Sequence, residues 1–182
     1  MNHYAVVLYF DKDSETKMQS LIDKVAEKTG CDYMNRVGIP PHVTVCALEG
    51  EAVDEEALFR ETEALAGNIK SGGVFFASIG VFNPLVIFLA PVMNEFLQNT
   101  CKTVNERLLQ HAEVGNRGNY LPNQWVPHAA IAVKLTPEAL KEAFAIVQEE
   151  FSAFGAKADR LVLARCEPYE ELKVCKLKDA EE

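Results

Sequence analysis

The sequence predicts an α+β fold made of two pseudo-symmetric lobes, each an antiparallel sheet with helices on its outer side. The order strand, helix, histidine-bearing strand, helix, strand occurs twice along the 182 residues. His42 lies 35 residues after Val7 in the first strand, and His128 lies 41 residues after Ile87 in the corresponding strand of the second series. Strands and helices mixed in this order favour an α+β arrangement over a doubly wound sheet. We therefore expect one domain, residues 1–182, with intertwined lobes at about 1–82 and 83–178.

The first series begins with a β-branched and aromatic strand, Tyr4–Phe10. Apolar residues then recur at helical spacing over residues 18–26, which predicts a helix capped by Asp13 or Ser14 and ended by Gly30. The remaining elements of this series are a breaker-rich loop at 30–41, a strand at 42–48 and a helix with the stripe Leu58, Thr62, Leu65 and Ile69.

The second series begins with two apolar runs, Gly73–Phe82 and Leu85–Ala90, which are predicted to be strands joined by a turn at Asn83-Pro84. Thr136 as cap and Pro137 in the first turn begin the last helix. The other elements are a helix marked by Leu97, Cys101, Val104 and Leu108, a loop at 113–127, a strand at 128–133 and two closing strands at about 161–166 and 172–177.

Composition excludes several classes of function. The net charge of -9 would repel a polyanion, so we expect no extended nucleic-acid surface and favour a small nucleotide or one RNA end. The five cysteines form no close pair typical of structural zinc or a redox dithiol, which indicates a reduced, cytoplasmic protein. No apolar run is long enough to cross a membrane, and we expect a monomer.

One strand presents a polar pair on a single face. Side chains two residues apart on a strand share a face, so His42 and Thr44 are predicted to point the same way, with Val43 and Val45 in the core. By the same alternation Cys46 would share the face of His42. We interpret Cys46 as a small buried apolar side chain rather than a nucleophile.

The second half repeats this arrangement. His128 and Ala130 hold the positions of His42 and Thr44, and a proline precedes each histidine. A pseudo-twofold relation between the lobes would bring the two histidines face to face across a shared cleft.

These motifs, H-x-T-h from His42 and W-x-P-H-x-h-h-A from Trp125, resemble the paired signature of the 2H phosphoesterases over nearly the whole chain. That family includes RNA 2',3'-cyclic phosphodiesterases and the enzymes called 2'-5' RNA ligases. The resemblance implies a bilobal fold, no metal and no cofactor. It also implies that His42 and His128 act as acid and base, while Thr44 donates a hydrogen bond to the phosphate.

The sequence departs from the family pattern at Ala130, where a Thr or Ser would donate a second hydrogen bond to the substrate phosphate. We expect side chains that replace this donor, or that stack on a base, in the two loops that precede the histidines. The candidates for substrate binding are Tyr33, Arg36, Arg117, Tyr120 and Trp125. Each has an alternative role, since an arginine can be a solvated charge and an aromatic ring can fix its loop to the core.

The leading functional hypothesis is a metal-independent phosphodiesterase that acts on a 2',3'-cyclic phosphate or a 2'-5' linkage of a nucleotide or RNA end. The first alternative is a 2H-like protein that binds a nucleotide or RNA end with weakened or lost turnover, and Ala130 is its motivation. The second is a two-histidine metal site, which the absence of Asp or Glu from both triads argues against.

Overall fold

The computed structural model describes residues 1–82 and 85–180. The strands in these residues form one antiparallel sheet of eight strands. The strands are β1 (Asn2–Phe10), β2 (Val43–Gly50), β3 (Gly72–Phe82), β4 (Val86–Pro91), β5 (Glu113–Val114), β6 (Ala129–Ala132), β7 (Phe154–Arg165) and β8 (Glu170–Lys176). The helices are α1 (Lys12–Thr29), α2 (Tyr33–Val37), α3 (Glu55–Asn68), α4 (Glu95–Leu108) and α5 (Pro137–Glu150). The predicted α+β class is confirmed, and the predicted turn at Asn83-Pro84 lies outside the described residues.

The long strand β7 joins the two histidine-bearing parts of the sheet. The strand order is β5-β2-β1-β7-β3-β4-β6, and β8 also pairs with β7. Residues 154–158 of β7 pair with β3, whereas residues 160–165 pair with β8. The strand that carries His42 and the strand that carries His128 therefore belong to one sheet. The lobe boundary near residue 82 stays a prediction.

The helix termini follow the capping rules, but the residue that caps the start of α1 differs from the prediction. Helix α1 begins after Asp11, whose carboxylate accepts a hydrogen bond from the Ser14 amide at 3.0 Å, so the prediction of Asp13 or Ser14 as the cap is wrong. Gly30 ends this helix at φ 73, as predicted. The predicted start of α5 is confirmed, since the Thr136 hydroxyl accepts from the Ala139 amide at 3.2 Å.

The helices cover one face of the sheet and leave the other open. On β1, Val6 and Leu8 pack into the main core with residues of the helices. Val7 and Tyr9 alternate with them and meet Val162 of β7 on the opposite face, here called the open face. No helix within the described ranges combines the length and apolar character needed to cross a membrane.

Candidate active site

His42 and His128 stand immediately before β2 and β6, and the same local hydrogen bond orients both rings. Nδ1 of His42 lies 2.7 Å from the carbonyl oxygen of Pro40, and Nδ1 of His128 lies 2.8 Å from that of Val126. Because a carbonyl oxygen only accepts, each Nδ1 carries the hydrogen and donates it. In the neutral ring Nε2 is then the free base, and the backbone fixes the tautomer.

A bulge at Val45 decides which side chains of β2 reach the open face. Thr44 pairs with Val7 and Cys46 pairs with Val6, which leaves Val45 without a partner on β1. Directly opposed residues share a face, so Thr44 lies on the open face and Cys46 on the helix-covered face. The prediction that Cys46 shares the face of His42 is therefore wrong, because one extra residue shifts the alternation. Burial in the core raises the pKa of the Cys46 thiol, in line with its interpretation as an apolar side chain.

Strand β6 has the same bulge at the same distance from its histidine. Ala130 pairs with Phe88 and Ala132 pairs with Ile87, so Ile131 is the extra residue. Ile131 and Ala132 pack in the main core. Ala130 is directly opposite Phe88, which alternates along β4 with the core residues Ile87 and Leu89, so Ala130 and Phe88 lie on the open face. Thr44 and Ala130 are thus equivalent positions, each two residues after a histidine and one residue before a bulge.

Both imidazoles are biased toward the neutral form. Burial lowers the pKa of His42, the Pro40 carbonyl partly offsets this, and a positive charge on His128 lowers it further. Burial also lowers the pKa of His128, with an opposing effect of the Val126 carbonyl. Both rings line the same cavity. A bound phosphate anion would favour protonation of one of them.

A cavity of about 550 Å³, here called the first cavity, contains both histidines together with Thr44 and Ala130. Its described lining includes no Lys, Arg, Asp or Glu. Amide side chains supply much of its polarity, and apolar side chains supply most of the rest. The amides are Asn116, Asn119 and Gln124, and the apolar group is Met34, Ile39, Phe82, Val86, Val126 and Val133. An anion placed in this cavity would meet neutral donors and the imidazoles rather than a Lys or Arg side chain.

Three aromatic rings surround His128. The centroid of its ring lies 4.8 Å from that of Phe82, 5.4 Å from that of Phe88 and 6.0 Å from that of Tyr120. The Phe88 ring covers Gly80 so closely that a Cβ atom there would come within 2.2 Å of it. Glycine at this position therefore allows the ring to lie against the sheet and support the imidazole.

Tyr120 is the predicted binding residue that the structure brings to the histidines. Its phenol lines the first cavity, and burial raises its pKa, an effect that the Thr44 and Asn116 side chains partly offset. The phenol therefore keeps its proton at neutral pH and is available as a hydrogen-bond donor. Its backbone carbonyl accepts a hydrogen bond from the buried amide of Asn105 at 3.2 Å.

The loop before His128 reaches the site through an uncommon backbone conformation. Asn116, Arg117 and Gly118 have successive φ values of 48, 54 and 78. Left-handed residues other than glycine are strained and are frequent at functional sites. This turn places Asn116 and Asn119 at the first cavity, whereas Arg117 lies outside it. The asparagines were not among the predicted site residues, although their position in a Gly-Asn-rich loop was a signal for them.

The structure does not bring Tyr33, Arg36 and Trp125 to the first cavity. The Lys134 ammonium lies 4.0 Å from the centroid of the Tyr33 ring, and the exposed Arg36 faces Asp32 at 3.9 Å. Trp125 is buried in the main core with 8% exposure. For Trp125, packing the loop onto the core is therefore the role that the structure favours over base stacking.

No three His, Cys, Asp or Glu side chains in the part of the chain that the structure describes are arranged to hold a metal ion. A second cavity, of about 720 Å³, adjoins the first and shares His42, Thr44 and Tyr120 with it. Arg117, the remaining predicted binding residue, lines this second cavity. His42, Thr44 and Tyr120 thus stand at the junction of the two cavities, whereas His128 lines only the first.

A family model described as "2'-5' RNA ligase superfamily" matches residues 13–169. A search of curated proteins finds no match. Among solved structures, TT0787 of Thermus thermophilus is 16% identical, with a TM-score of 0.61 and 100% of each chain covered. E. coli LigT complexed with 3'-AMP is 10% identical, with a TM-score of 0.59, and Usb1 of Kluyveromyces marxianus is 18% identical, with a TM-score of 0.55. Both alignments cover 97% of this chain and 98% of the other.

Proposed function

Because this chain belongs to the 2'-5' RNA ligase superfamily, we propose that it is a metal-independent phosphodiesterase acting on a 2',3'-cyclic phosphate or a 2'-5' phosphodiester of a nucleotide or RNA end. The observation that carries the proposal is the matched pair of half-sites. His42 and His128 each donate Nδ1–H to a carbonyl two residues back and line one cavity. The matched bulges after them also support the division into two lobes, at about 1–82 and 83–178.

The chemistry follows from two imidazoles with opposite protonation states. For a 2',3'-cyclic phosphate, one Nε2 takes a proton from the attacking water while the water oxygen bonds to phosphorus. The bond from phosphorus to one ribose oxygen breaks, and that oxygen receives the proton of the other Nε2. The product is a ribose monophosphate, and proton exchange with solvent restores the starting states. Each positioned acid or base contributes about 10²- to 10⁴-fold.

The transition state places charge on the non-bridging phosphate oxygens, and Thr44 supplies one donor for it. Ala130 supplies none at the equivalent position, although it lies on the same open face. The protonated phenol of Tyr120 lies beside Thr44 and lines the first cavity, so we assign it as the replacement donor. Loss of one such donor typically costs about 2.7 to 4 kcal/mol of transition-state stabilisation.

The ligand class is supported by the size and neutrality of the first cavity. A volume of about 550 Å³ suits a nucleoside with its phosphate. Crystal structures of the similar E. coli LigT contain 3'-AMP in one case and ATP in another. A small nucleotide or an RNA end is therefore the ligand that we propose for this chain.

The test is a hydrolysis assay in EDTA against 2',3'-cyclic nucleotides, a 2'-5' dinucleotide and RNA ending in a cyclic phosphate. His42→Ala and His128→Ala should each lower kcat by about 10²-fold or more. His111→Ala is the matched control, because His111 is exposed and lies near Glu61 at 4.0 Å. Turnover that neither active-site substitution lowers would contradict the proposed acid and base.

A second candidate function, nucleotide or RNA-end binding without turnover, is favoured by Ala130 alone. It predicts saturable binding of a cyclic nucleotide with no product. Restoring the donor with Ala130→Thr distinguishes the two functions, since a gain in rate indicates a weakened enzyme and an unchanged absence of product indicates a binding protein.

A further inference from the structure

Two basic side chains lie beside the ring of Tyr33, next to the first cavity. The Lys134 ammonium lies 4.0 Å from the centroid of this ring, and the central carbon of the Arg36 guanidinium lies 5.9 Å from it. We call these three residues the Tyr33 cluster. Met34 and Val133, the chain neighbours of Tyr33 and Lys134, line the first cavity. The cluster therefore adds positive charge directly beside a cavity whose described lining has none.

The Lys134 ammonium is available to a ligand. The residue is exposed, and no carboxylate among the residues that the structure describes forms an ion pair with it. A contact with the face of a ring uses the charge of an ammonium and leaves N–H donors unused. Lys134 can therefore stay on the Tyr33 ring and still donate to an anion.

The backbone at Lys134 is strained. Its φ is 56, in the left-handed region that residues other than glycine rarely adopt. On one side of it Val133 lines the first cavity, and on the other Leu135 is buried with 2% exposure. Strain of this kind persists only where the surrounding structure enforces it, and it is frequent at ligand sites. The backbone thus marks Lys134 independently of its charge.

Arg36 adds a second positive charge that is only weakly compensated. Its carboxylate partner, Asp32, lies 3.9 Å away, and both side chains are more than half exposed, so the ion pair is weak. Arg36 and Lys134 lie within about one Debye length of each other, roughly 10 Å at 0.1 M salt. Both charges therefore act on the same anion.

A phosphate suits the Tyr33 cluster better than a base does. The ring of Tyr33 already has Lys134 on its face and Arg36 beside it, which leaves little of its surface for stacking. Lysine and arginine both donate to phosphate oxygens. An RNA chain whose last nucleoside fills the first cavity has its next backbone phosphates outside that cavity, where the cluster lies.

We propose that Arg36 and Lys134 bind a backbone phosphate of an RNA chain whose end lies in the first cavity. Tyr33 is a positioning residue that holds Lys134. The inference rests on the proposed function and narrows its substrate. RNA ends with further backbone phosphates are the preferred class over 2',3'-cyclic mononucleotides, and the preference comes from charge rather than from additional bases.

The experiment compares kcat/KM at low salt for 2',3'-cyclic AMP, for an adenosine trinucleotide ending in a 2',3'-cyclic phosphate, and for the same trinucleotide with uncharged methylphosphonate linkages. Lys134→Gln and Arg36→Gln each remove one charge, whereas Tyr33→Leu removes the ring and Tyr33→Phe keeps it. Lys102→Gln is the matched control, because Lys102 is an exposed lysine of α4 that lines neither the first nor the second cavity.

Wild-type protein should favour the charged trinucleotide over the cyclic mononucleotide by about 10-fold, and Lys134→Gln and Arg36→Gln should each lower this preference by about 3- to 5-fold. Tyr33→Leu should lower it more than Tyr33→Phe, and Lys102→Gln should leave it unchanged. Each charge variant should also reduce the slope of log kcat/KM against log salt concentration by about 0.7, which a purely structural role would not do.

Two results overturn the inference. One is a preference and a salt slope that stay unchanged in both Lys134→Gln and Arg36→Gln. The other is a preference that the methylphosphonate trinucleotide keeps, because the additional bases would then carry it.

A binding measurement separates this inference from the proposed function. If wild-type protein hydrolyses none of the substrates, the proposed function fails, but fluorescence anisotropy with the charged trinucleotide, labelled at its 5' end, still tests the Tyr33 cluster. Weaker binding by Lys134→Gln, with a smaller salt slope, would support the phosphate site without turnover. Equal affinity of wild type, Lys134→Gln and Arg36→Gln for this trinucleotide would overturn it.

Discussion

Replacing Asn105 by Leu should remove the hydrogen bonds by which helix α4 holds the backbone of the active site. Asn105 lies on α4, is only 3% exposed, and its Nδ2 donates to the carbonyls of Val45 at 2.9 Å and Tyr120 at 3.2 Å. Val45 is the bulge residue beside Thr44, and Tyr120 is the proposed phosphate donor. One buried amide therefore holds both the bulge of β2 and the loop that enters the cavity.

The magnitude follows from the groups left without partners. Leucine is similar in size to asparagine and fills its place, so the main cost arises from the carbonyls that lose their donor. The buried carbonyl of Val45 loses the Asn105 amide, whereas the Tyr120 carbonyl keeps a hydrogen bond from the Cys101 thiol at 3.6 Å. One unsatisfied buried polar group costs about 1 to 3 kcal/mol. This is a substantial part of a typical unfolding free energy of about 5 to 15 kcal/mol.

The assay measures unfolding in urea together with kcat on the best substrate. Leu97→Ala is the matched control, because Leu97 is fully buried on the same helix and its truncation costs about 2 to 5 kcal/mol without touching either cavity. Both variants should lose stability. Only Asn105→Leu should also lower kcat, by about 10-fold or more per folded molecule, because Thr44 and Tyr120 lose their alignment.

Two results would refute this reasoning. A loss of stability below about 1 kcal/mol in Asn105→Leu would mean that the carbonyls find other donors and that the amide does not hold them. A loss equal to that of Leu97→Ala with kcat unchanged would mean that Asn105 supports the fold only, and that the bulge keeps its shape without it.

Three further perturbations test the site. Ala130→Thr should raise kcat by about 10²- to 10³-fold in a Tyr120→Phe background, where the proposed replacement donor is absent, and by less in the wild-type background; unchanged single-turnover rates in the Tyr120→Phe background would contradict the assignment of position 130. Burial lowers the pKa of His42 and of His128, so the unfolded chain binds more protons than the folded chain just below pH 6.5. The free energy of unfolding in urea should therefore be highest above pH 6.5 and fall toward pH 5, and it should fall less steeply when His42 and His128 are both replaced by Ala. Parallel pH curves for the wild type and this double variant would argue against the lowered pKa values. Gly80→Ala should displace Phe88 from His128 and lower kcat more than KM changes, whereas wild-type kinetics would show that the ring position is unimportant.

The histidine strands were predictable because proline, histidine and an apolar run follow each other twice. The bulges were not, because Val45 and Cys46 are both apolar and either could face the core without changing the hydrophobic pattern. Only the pairing with β1 shows that an extra residue stands between Thr44 and Cys46. Strict alternation thus predicted that His42 and Thr44 lie together at the site, but it placed Cys46, the residue after the bulge, on the wrong face of the sheet.

The loops show what composition cannot decide. Tyr120 and Trp125 come from the same loop and looked equally suited to a base, yet one lines the first cavity and the other is buried in the core. Asn105 gave a usable signal, since it is a polar residue between Val104 and Leu108 on the apolar side of α4. A polar residue on a buried helical stripe needs a partner, and here the partners are the carbonyls of the site.

The neutral lining of the first cavity bears on turnover as well as on binding. A phosphodiester carries one negative charge, whereas a terminal phosphate monoester carries close to two at neutral pH. The cost of removing an ion from water rises steeply with its charge, and none of the described residues that line this cavity is a Lys or Arg that would offset it. The net charge of -9 also disfavours the more highly charged monoester. The cavity should therefore hold a diester substrate in preference to its monoester product, which favours release of the product over its retention.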